Sequence, residues 1–172
     1  MAAEDEILDL VDNNDHVIGT IARSDISDHM HGYVRASELF LVNNKGELWI
    51  PRRQLNKKIA PGGLDYSAAG HVESGADYLT TLIRETKEEL NIGLNEYRLQ
   101  FVHKFHPRKG LPPYFRSVYI YKFNSVPDYN RADFKEFYWL KPIDLLDRLN
   151  NGEKAKQSLK ETIQYLVDNK SI

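Results

Sequence analysis

Three glutamates occur within five consecutive residues in the middle of the chain. In a helix each residue advances about 100° around the axis. The spacings of three and four therefore place Glu85, Glu88 and Glu89 on one face. Carboxylates this close together repel one another, so two interpretations of the cluster are open. In the first, the helix has a solvated acidic face paired with Arg84 and Lys87. In the second, the glutamates form a site for a hard cation such as Mg²⁺, which prefers carboxylate oxygen and bridges to phosphate.

The elements around these glutamates predict one mixed α/β (α+β) domain over residues 1–172. A helix is expected over 77–90, because its apolar residues recur at helical spacing. Pro142 is placed to begin a second helix, and Gly152 separates it from a last helix over 153–168. Strands on both sides of one central helix argue against a doubly wound sheet. The strands are expected at 7–11, 16–22, 34–42, 47–50 (closed by Pro51), 98–105, 115–123 and 136–140, with a loop over 23–32 and a basic, then glycine-rich segment over 51–69.

Composition excludes several classes of function. The 172 residues are 41% hydrophobic and 28% charged, with a net charge of −2, which does not suggest a nucleic-acid binder. There is no cysteine, so disulfides, thiolate metal sites and cysteine nucleophiles are excluded. The acidic N-terminus does not look like a signal peptide, and no apolar run is long enough to span a membrane. We expect a cytoplasmic protein that acts on a small molecule, and leave a homodimer open.

The segment from Gly70 to Ile92 resembles the Nudix box, G-x5-E-x7-R-E-U-x-E-E-x-G-U, in which U is a bulky aliphatic residue. Six positions of that pattern are matched in this sequence, by Gly70, Arg84, Glu85, Glu88, Glu89 and Ile92. Three positions depart from it, with Ala76 at the first glutamate, Thr86 at the first aliphatic residue and Asn91 at the second glycine. Asn tolerates left-handed backbone angles, so Asn91 is expected to end the helix, with Gly93 as the other candidate.

This resemblance implies a Nudix-type α/β/α sandwich with a curved mixed sheet, in which the box forms loop–helix–loop. It also implies Mg²⁺ or Mn²⁺ bound by Glu85, Glu88, Glu89 and the main-chain carbonyl of Ala69, with Arg84 orienting the glutamates. The implied reaction is attack by water on phosphorus in a nucleoside diphosphate linked to another moiety. The general base is left open between Glu85 and Glu136, since either could reach a metal-bound water.

A wider stretch resembles the isopentenyl-diphosphate isomerase-like branch of the same superfamily. The matching residues are Arg53, Lys57, Pro61, Gly62, Leu64, Asp65, Gly70 and His71. Isomerases of this type use an essential cysteine near the histidine that corresponds to His71, whereas this chain has Ala68 and Ala69 there. We therefore expect a hydrolase and not an isomerase. Arg53 and Lys57 are candidate ligands for substrate phosphate, or else solvated loop charges.

Three further hypotheses concern the surroundings of this site. Ala76 removes a carboxylate from the box, so a catalytically weak Nudix-fold binding module is the alternative to a hydrolase. His29, His31 and His71 are candidates for a second, isomerase-like metal site. Tyr114, beside a Gly/Pro-rich loop, is a candidate for stacking on a base.

Overall fold

The computed structural model describes residues 5–172, in which the chain forms eight strands and three α-helices. No helix within that range is long and apolar enough to cross a membrane. Residues 1–4, which begin the acidic segment and the predicted domain, lie outside the described part. The strands are β1 (Ile7–Val11), β2 (Val17–Ala22), β3 (Val34–Val42), β4 (Leu48–Arg53), β5 (Ala68–His71), β6 (Leu99–Phe105), β7 (Tyr114–Lys122) and β8 (Phe134–Leu140). The helices are α1 (Tyr78–Leu90), α2 (Pro142–Asn150) and α3 (Leu159–Asp168).

Six of the strands form one mixed sheet. Its order is β6-β7-β3-β4-β8, and β5 pairs with β3 beside this path. The pairing of β3 with β7 is parallel along both strands, from Val34 opposite Tyr114 to Val42 opposite Lys122. The other pairings in this sheet are antiparallel. The two remaining strands, β1 and β2, form a separate antiparallel pair. The expectation of a mixed sheet is confirmed.

The central strand β3 is buried on both faces, and its alternating side chains divide the core in two. Leu39 and Leu41 point to one side, where they share a cluster with Leu82 and Leu90 of α1. Phe40 and Val42 point to the other side, where they share a cluster with apolar residues of α2 and α3. The helices therefore cover opposite faces of the sheet, which confirms the predicted sandwich.

Two predicted boundaries are wrong, and one strand is absent from the prediction. Pro51 does not close its strand, because β4 continues to Arg53. Proline is tolerated there because β4 pairs with β3 only at Leu48, so Pro51 has no partner in β3. Strand β5 was not predicted and begins at the end of the basic and glycine-rich segment over 51–69. The last helix begins at Leu159 and not at residue 153, because Lys154 and Lys156 bond through their backbones to Leu64.

Candidate functional site

The loop and helix that carry the glutamates are held against the centre of the sheet. Strand β5 pairs with β3, with Leu39 opposite Ala68 and Ala36 opposite His71. A loop then leads into α1, whose first turn is capped by Asp77, which accepts a bond from the Thr80 N–H at 2.7 Å. The helix ends at Asn91, which is left-handed with φ 53° and ψ 32°. The expectation for Asn91 is therefore confirmed.

Two of the three glutamates pack directly on β5. A Cβ atom at Gly70 would lie 2.1 Å from Oε1 of Glu85, so only glycine leaves room for this carboxylate. The side chain of Glu85 is 14% exposed. Oε2 of Glu89 accepts a hydrogen bond from the backbone N–H of Ala69 at 3.0 Å. The glycine at the start of the box is thus explained by its contact with a carboxylate fifteen residues later.

Arg84 lies among the carboxylates of the box. Its Nη2 atom is 2.9 Å from Oε1 of Glu85 and 3.2 Å from Oε1 of Glu73. Its Nη1 atom is 3.4 Å from Oε2 of Glu88, whose side chain is mostly exposed. Glu73 thus supplies Arg84 with a carboxylate from the same loop in which Ala76 replaces the usual glutamate. The expected role of Arg84 in orienting the glutamates is compatible with these contacts.

Two carboxylates of the site, those of Glu85 and Glu89, have pKa values above that of free glutamate. Burial raises the pKa of Glu85 to about 7; the charge of Arg84 opposes this rise, and the charge of Glu88 adds to it. Burial also raises the pKa of Glu89 well above its ordinary value, and the charges of Asp65 and Glu85 add to the rise. Buried negative charge without a matching cation is a costly arrangement that a bound metal ion would relieve.

The donor set fits a hard divalent cation, although the side chains are not yet arranged around one. Within residues 5–172, no three Asp, Glu or His side chains form a group ready to hold a metal ion. Arg84 engages Glu85 and Glu88 instead. Glu89, in contrast, has no ion-pair partner in this range, and all the candidate ligands are oxygens, as Mg²⁺ prefers.

The box residues line a cavity of about 360 Å³. Arg53 and Lys57, the two predicted phosphate ligands, line the same cavity. Arg53 donates to Oδ2 of Asp65 at 2.5 Å and to the Ile59 carbonyl at 2.8 Å. Lys57 forms an ion pair with Asp133. Both cations are therefore held by carboxylates at the cavity wall and are not loose charges on a loop.

Glu136, the alternative candidate for the general base, is not brought together with the box. It does not line the cavity, whereas the nearby Asp133 does. The carboxylate of Glu136 accepts from Arg52 Nε at 2.7 Å and from the Tyr138 hydroxyl at 2.8 Å. These bonds, from Tyr138 first and then Arg52, lower the pKa of Glu136. The carboxylate is thus engaged in a cluster outside the cavity.

The three histidines considered as a second metal site are also not brought together. His71 is buried at the cavity, and its Nε2 atom has no hydrogen-bond partner among the described residues. Burial lowers the pKa of His71 to about 3, so its ring is neutral. Tyr114 packs against it edge to face at 4.9 Å. His29 and His31 are exposed, and no three-ligand group containing them exists in residues 5–172.

A family model, the NUDIX domain, matches residues 32–162. The chain belongs to the Nudix family. A curated Nudix relative, an uncharacterised Nudix hydrolase of Nostoc, is 44% identical over 164 residues, which cover 95% of this chain and 97% of that protein. A Nudix hydrolase of Deinococcus radiodurans is 38% identical over 160 residues, 93% of each chain.

Solved structures and the isomerases agree with this Nudix assignment. A crystal structure from Deinococcus radiodurans has a TM-score of 0.84 and 37% identity, and the match covers 92% of this chain and 98% of that one. An isopentenyl-diphosphate isomerase of Photorhabdus laumondii is 27% identical over 153 residues, 84% of this chain and 85% of that protein. The similarity to the isomerase branch is thus confirmed, and the chain is a Nudix hydrolase, a family that generally uses a divalent metal.

Sequence reasoning missed two sets of residues that line the cavity of this Nudix hydrolase. Glu38 lies in the middle of β3 and is 4% exposed. A charged residue inside an otherwise apolar strand was the signal that could have identified it. The second set is Lys156, Gln157 and Ser158, which precede α3. Nothing in the local sequence distinguishes these residues from an ordinary polar connection.

Proposed function

We propose that this Nudix hydrolase cleaves the diphosphate linkage of a nucleoside diphosphate joined to another moiety, with water as the nucleophile and Mg²⁺ or Mn²⁺ as cofactor. The observation that carries the proposal is the burial of Glu85 and Glu89 against β5 without enough positive charge to balance them. Such an arrangement is stable when a cation joins it, and a diphosphate brings two further negative groups that the cation can bridge.

The residues that line the cavity have different proposed roles in this reaction. Glu85, Glu88, Glu89 and the carbonyl of Ala69 would hold the cation. When bound, the divalent ion offsets phosphate charge and lowers the pKa of the attacking water. Arg84 holds the glutamates in orientation. Arg53 and Lys57, on the cavity wall, would bind substrate phosphate through charge-assisted hydrogen bonds.

Glu85 is the better supported of the two candidate bases. A general base must reach the water that it deprotonates, directly or through one other water. Glu85 lines the cavity, whereas Glu136 is engaged by Arg52 and Tyr138 outside it. This placement favours Glu85 as the base.

Isomerisation is not part of the proposal. Moving a proton on the carbon skeleton of an allylic diphosphate needs an acid and a base on opposite faces of the hydrocarbon. In the isomerase branch a cysteine serves one face, and this chain has Ala68 and Ala69 in that neighbourhood and no cysteine elsewhere. Incubation with isopentenyl diphosphate and Mg²⁺ should give no dimethylallyl diphosphate by chromatography, and steady metal-dependent formation of it would refute the assignment.

A small diphosphate metabolite is the proposed partner. A cavity of about 360 Å³ falls in the range of small-ligand sites. The net charge of −2 gives no reason to expect a nucleic acid polymer or a membrane surface. A reducing compartment such as the cytoplasm suits a cysteine-free chain, and self-association into a homodimer is compatible with all of this.

A substrate screen tests the proposal directly. Purified protein would be incubated with nucleoside diphosphate sugars, dinucleoside polyphosphates, NADH, coenzyme A and oxidised nucleotides. Each substrate would be tested with Mg²⁺, with Mn²⁺ and with EDTA. We expect phosphate-containing products for one or more substrates, only when the metal is present, and strongly reduced turnover in Glu88→Gln. Turnover that persists in EDTA would contradict the metal assignment. Absence of turnover with every substrate and both metals would favour a catalytically weak binding module.

A further inference from the structure

The positive charges around the cavity are not compensated evenly. Lys57 has Asp133 as its partner, and Arg23 has Glu6 at 3.0 Å. Arg53 and Lys156 are different, because both bond to the carboxylate of Asp65. Among the described residues neither has another acidic side chain within ion-pair distance. Within ion-pair distance, two cations thus share one carboxylate at this part of the cavity wall, and the charge of Lys156 also acts on Glu38 and Glu89, whose pKa values it lowers.

Asp65 is fixed so that its two oxygens face these two cations. Its side chain is 3% exposed, and its backbone N–H donates to the carbonyl of Pro51 at 3.0 Å. Oδ2 accepts from Arg53 at 2.5 Å, and Oδ1 lies 3.0 Å from the Lys156 ammonium. The two cations thus stand side by side, separated by the width of one carboxylate and its hydrogen bonds.

Backbone hydrogen bonds to Leu64 position Lys156 beside Asp65. The Leu64 N–H donates to the Lys154 carbonyl at 2.8 Å, and the Lys156 N–H donates to the Leu64 carbonyl at 2.9 Å. Leu64 and Ala155 form a parallel bridge. A Cβ atom at Gly63 would lie only 3.1 Å from Cα of Ala155, so glycine permits the close approach.

We propose that Lys156 is a substrate-binding residue that, together with Arg53, binds a phosphoryl group of the substrate directly. The inference rests on the proposed diphosphate substrate. A diphosphate carries negative charge on both phosphoryl groups, and the carboxylates of α1 can approach one of them only through a cation. The other group needs protein cations, and the wall at Asp65 supplies two that share one carboxylate. Lys156 keeps 21% of its side chain exposed, so its ammonium can donate to a ligand as well as to Asp65.

A binding measurement that does not depend on turnover tests this role. The probe is methylenediphosphonate, a diphosphate analogue with a carbon bridge that water does not cleave, titrated by calorimetry in MgCl2. Lys156→Met keeps the apolar stem and removes the charge, and we expect its Kd to rise about tenfold or more. Lys156→Arg should recover most of the affinity, because a guanidinium also binds phosphate. The control is Lys154→Met, since Lys154 is exposed two residues away, and its Kd should stay within twofold of the parent.

The same variants separate substrate binding from a structural role. If Lys156 only neutralises Asp65, Lys156→Met lowers the melting temperature and leaves the Kd within twofold, which overturns the proposal. Absence of probe binding by the parent protein, or equal losses in Lys156→Met and Lys154→Met, also overturns it. With an active substrate, Lys156→Met should raise KM more than it lowers kcat. Lys156-dependent probe binding without turnover of any substrate would refute the proposed hydrolysis and leave the inference standing.

Discussion

Two groups of buried carboxylates in this protein differ in how their charge is balanced. In one group, Arg116 is 2% exposed and donates to Glu38, which lines the cavity, at 3.1 Å and to Glu161 at 2.5 Å. Arg108 also pairs with Glu161, so this network has two carboxylates and two guanidinium groups. The box has four glutamates, Glu73, Glu85, Glu88 and Glu89, and one guanidinium group, that of Arg84, which contacts the first three. A buried network whose charges balance is compatible with a purely structural role, whereas an unbalanced one indicates a binding site for a charged ligand or ion.

The pKa values express the same difference. Burial raises the pKa of both Glu38 and Glu89. The charge of Lys156 opposes the rise at both residues, but at Glu38 the charge of Arg116 opposes it more strongly, whereas at Glu89 the charges of Asp65 and Glu85 add to it. A raised pKa therefore does not identify a functional carboxylate unless the cause is known. The balance of the neighbouring charges is what distinguishes Glu38 from the candidate metal ligand Glu89.

The largest effect is expected on breaking the balanced network. Arg116→Met leaves Glu38 and Glu161 without their buried partner, so the free energy of unfolding should fall by about 3–5 kcal/mol. Urea denaturation measures this. Arg108→Met is the matched control, since it removes a guanidinium from the same Glu161 but one that is 64% exposed, and it should cost at most about 1 kcal/mol. Equal losses of unfolding free energy in the two variants would show that burial of the arginine does not determine its contribution to stability.

The box glutamates should respond in the opposite way, with a loss of activity and no loss of stability. Glu89→Gln replaces a buried carboxyl group whose charged form is disfavoured by burial and which has no ion-pair partner in the described residues, so stability without metal should not fall and turnover should drop by about a hundredfold or more. Steady-state kinetics with Mg²⁺ and thermal unfolding in EDTA measure the two effects. Glu96→Gln, an exposed glutamate outside the cavity, is the control. A large loss of stability with little loss of turnover would assign Glu89 to the fold.

A smaller effect with a defined pH dependence is expected at Asp15, another compensated carboxylate. Burial disfavours its charged form, but hydrogen bonds from Lys104 and Arg35 outweigh burial and lower the pKa of Asp15 below its ordinary 3.8. A lowered pKa means that the stabilisation is present above pH 3.8 and is lost as pH falls through the folded-state value. Asp15→Asn should therefore cost roughly 1–2 kcal/mol at pH 7 and progressively less below pH 3.8.

Thermal unfolding from pH 7 to pH 2 measures this difference, with the exposed Asp28→Asn as its control. A difference between Asp15→Asn and the parent that stays constant down to pH 2 would mean that the ion pairs with Arg35 and Lys104 do not contribute.

The smallest effect is expected at Glu136, and it sharpens the choice of base. Glu136→Gln removes a charge that Arg52 and Tyr138 engage outside the cavity, so kcat should stay within about twofold at saturating Mg²⁺. Glu85→Gln, in the cavity, should lower kcat by about a hundredfold or more. If both substitutions prove harmless, neither glutamate is the base and a metal-bound hydroxide acts without one.

Local patterns were sufficient wherever neighbouring residues determine the conformation. The bounds of β3 and α1 follow from runs of apolar residues and helical spacing, and Asn91 ends α1 because it tolerates left-handed angles. Strand β5 could not be predicted in this way. It consists of Ala68, Ala69, Gly70 and His71, which have little strand propensity, and it exists because β3 offers it a pairing edge.

The sequence by itself determined that three glutamates share one helical face and that a glycine stands at the start of the box. The tertiary structure decided which residues face them. It placed Asp133 at the cavity and Glu136 outside, and it brought Lys156 to Asp65 across some ninety residues of chain. Helical spacing is a property of adjacent peptide units and can be read from the sequence. The meeting of distant side chains depends on which backbone edges pair and which surfaces are buried together, and no local pattern encodes that.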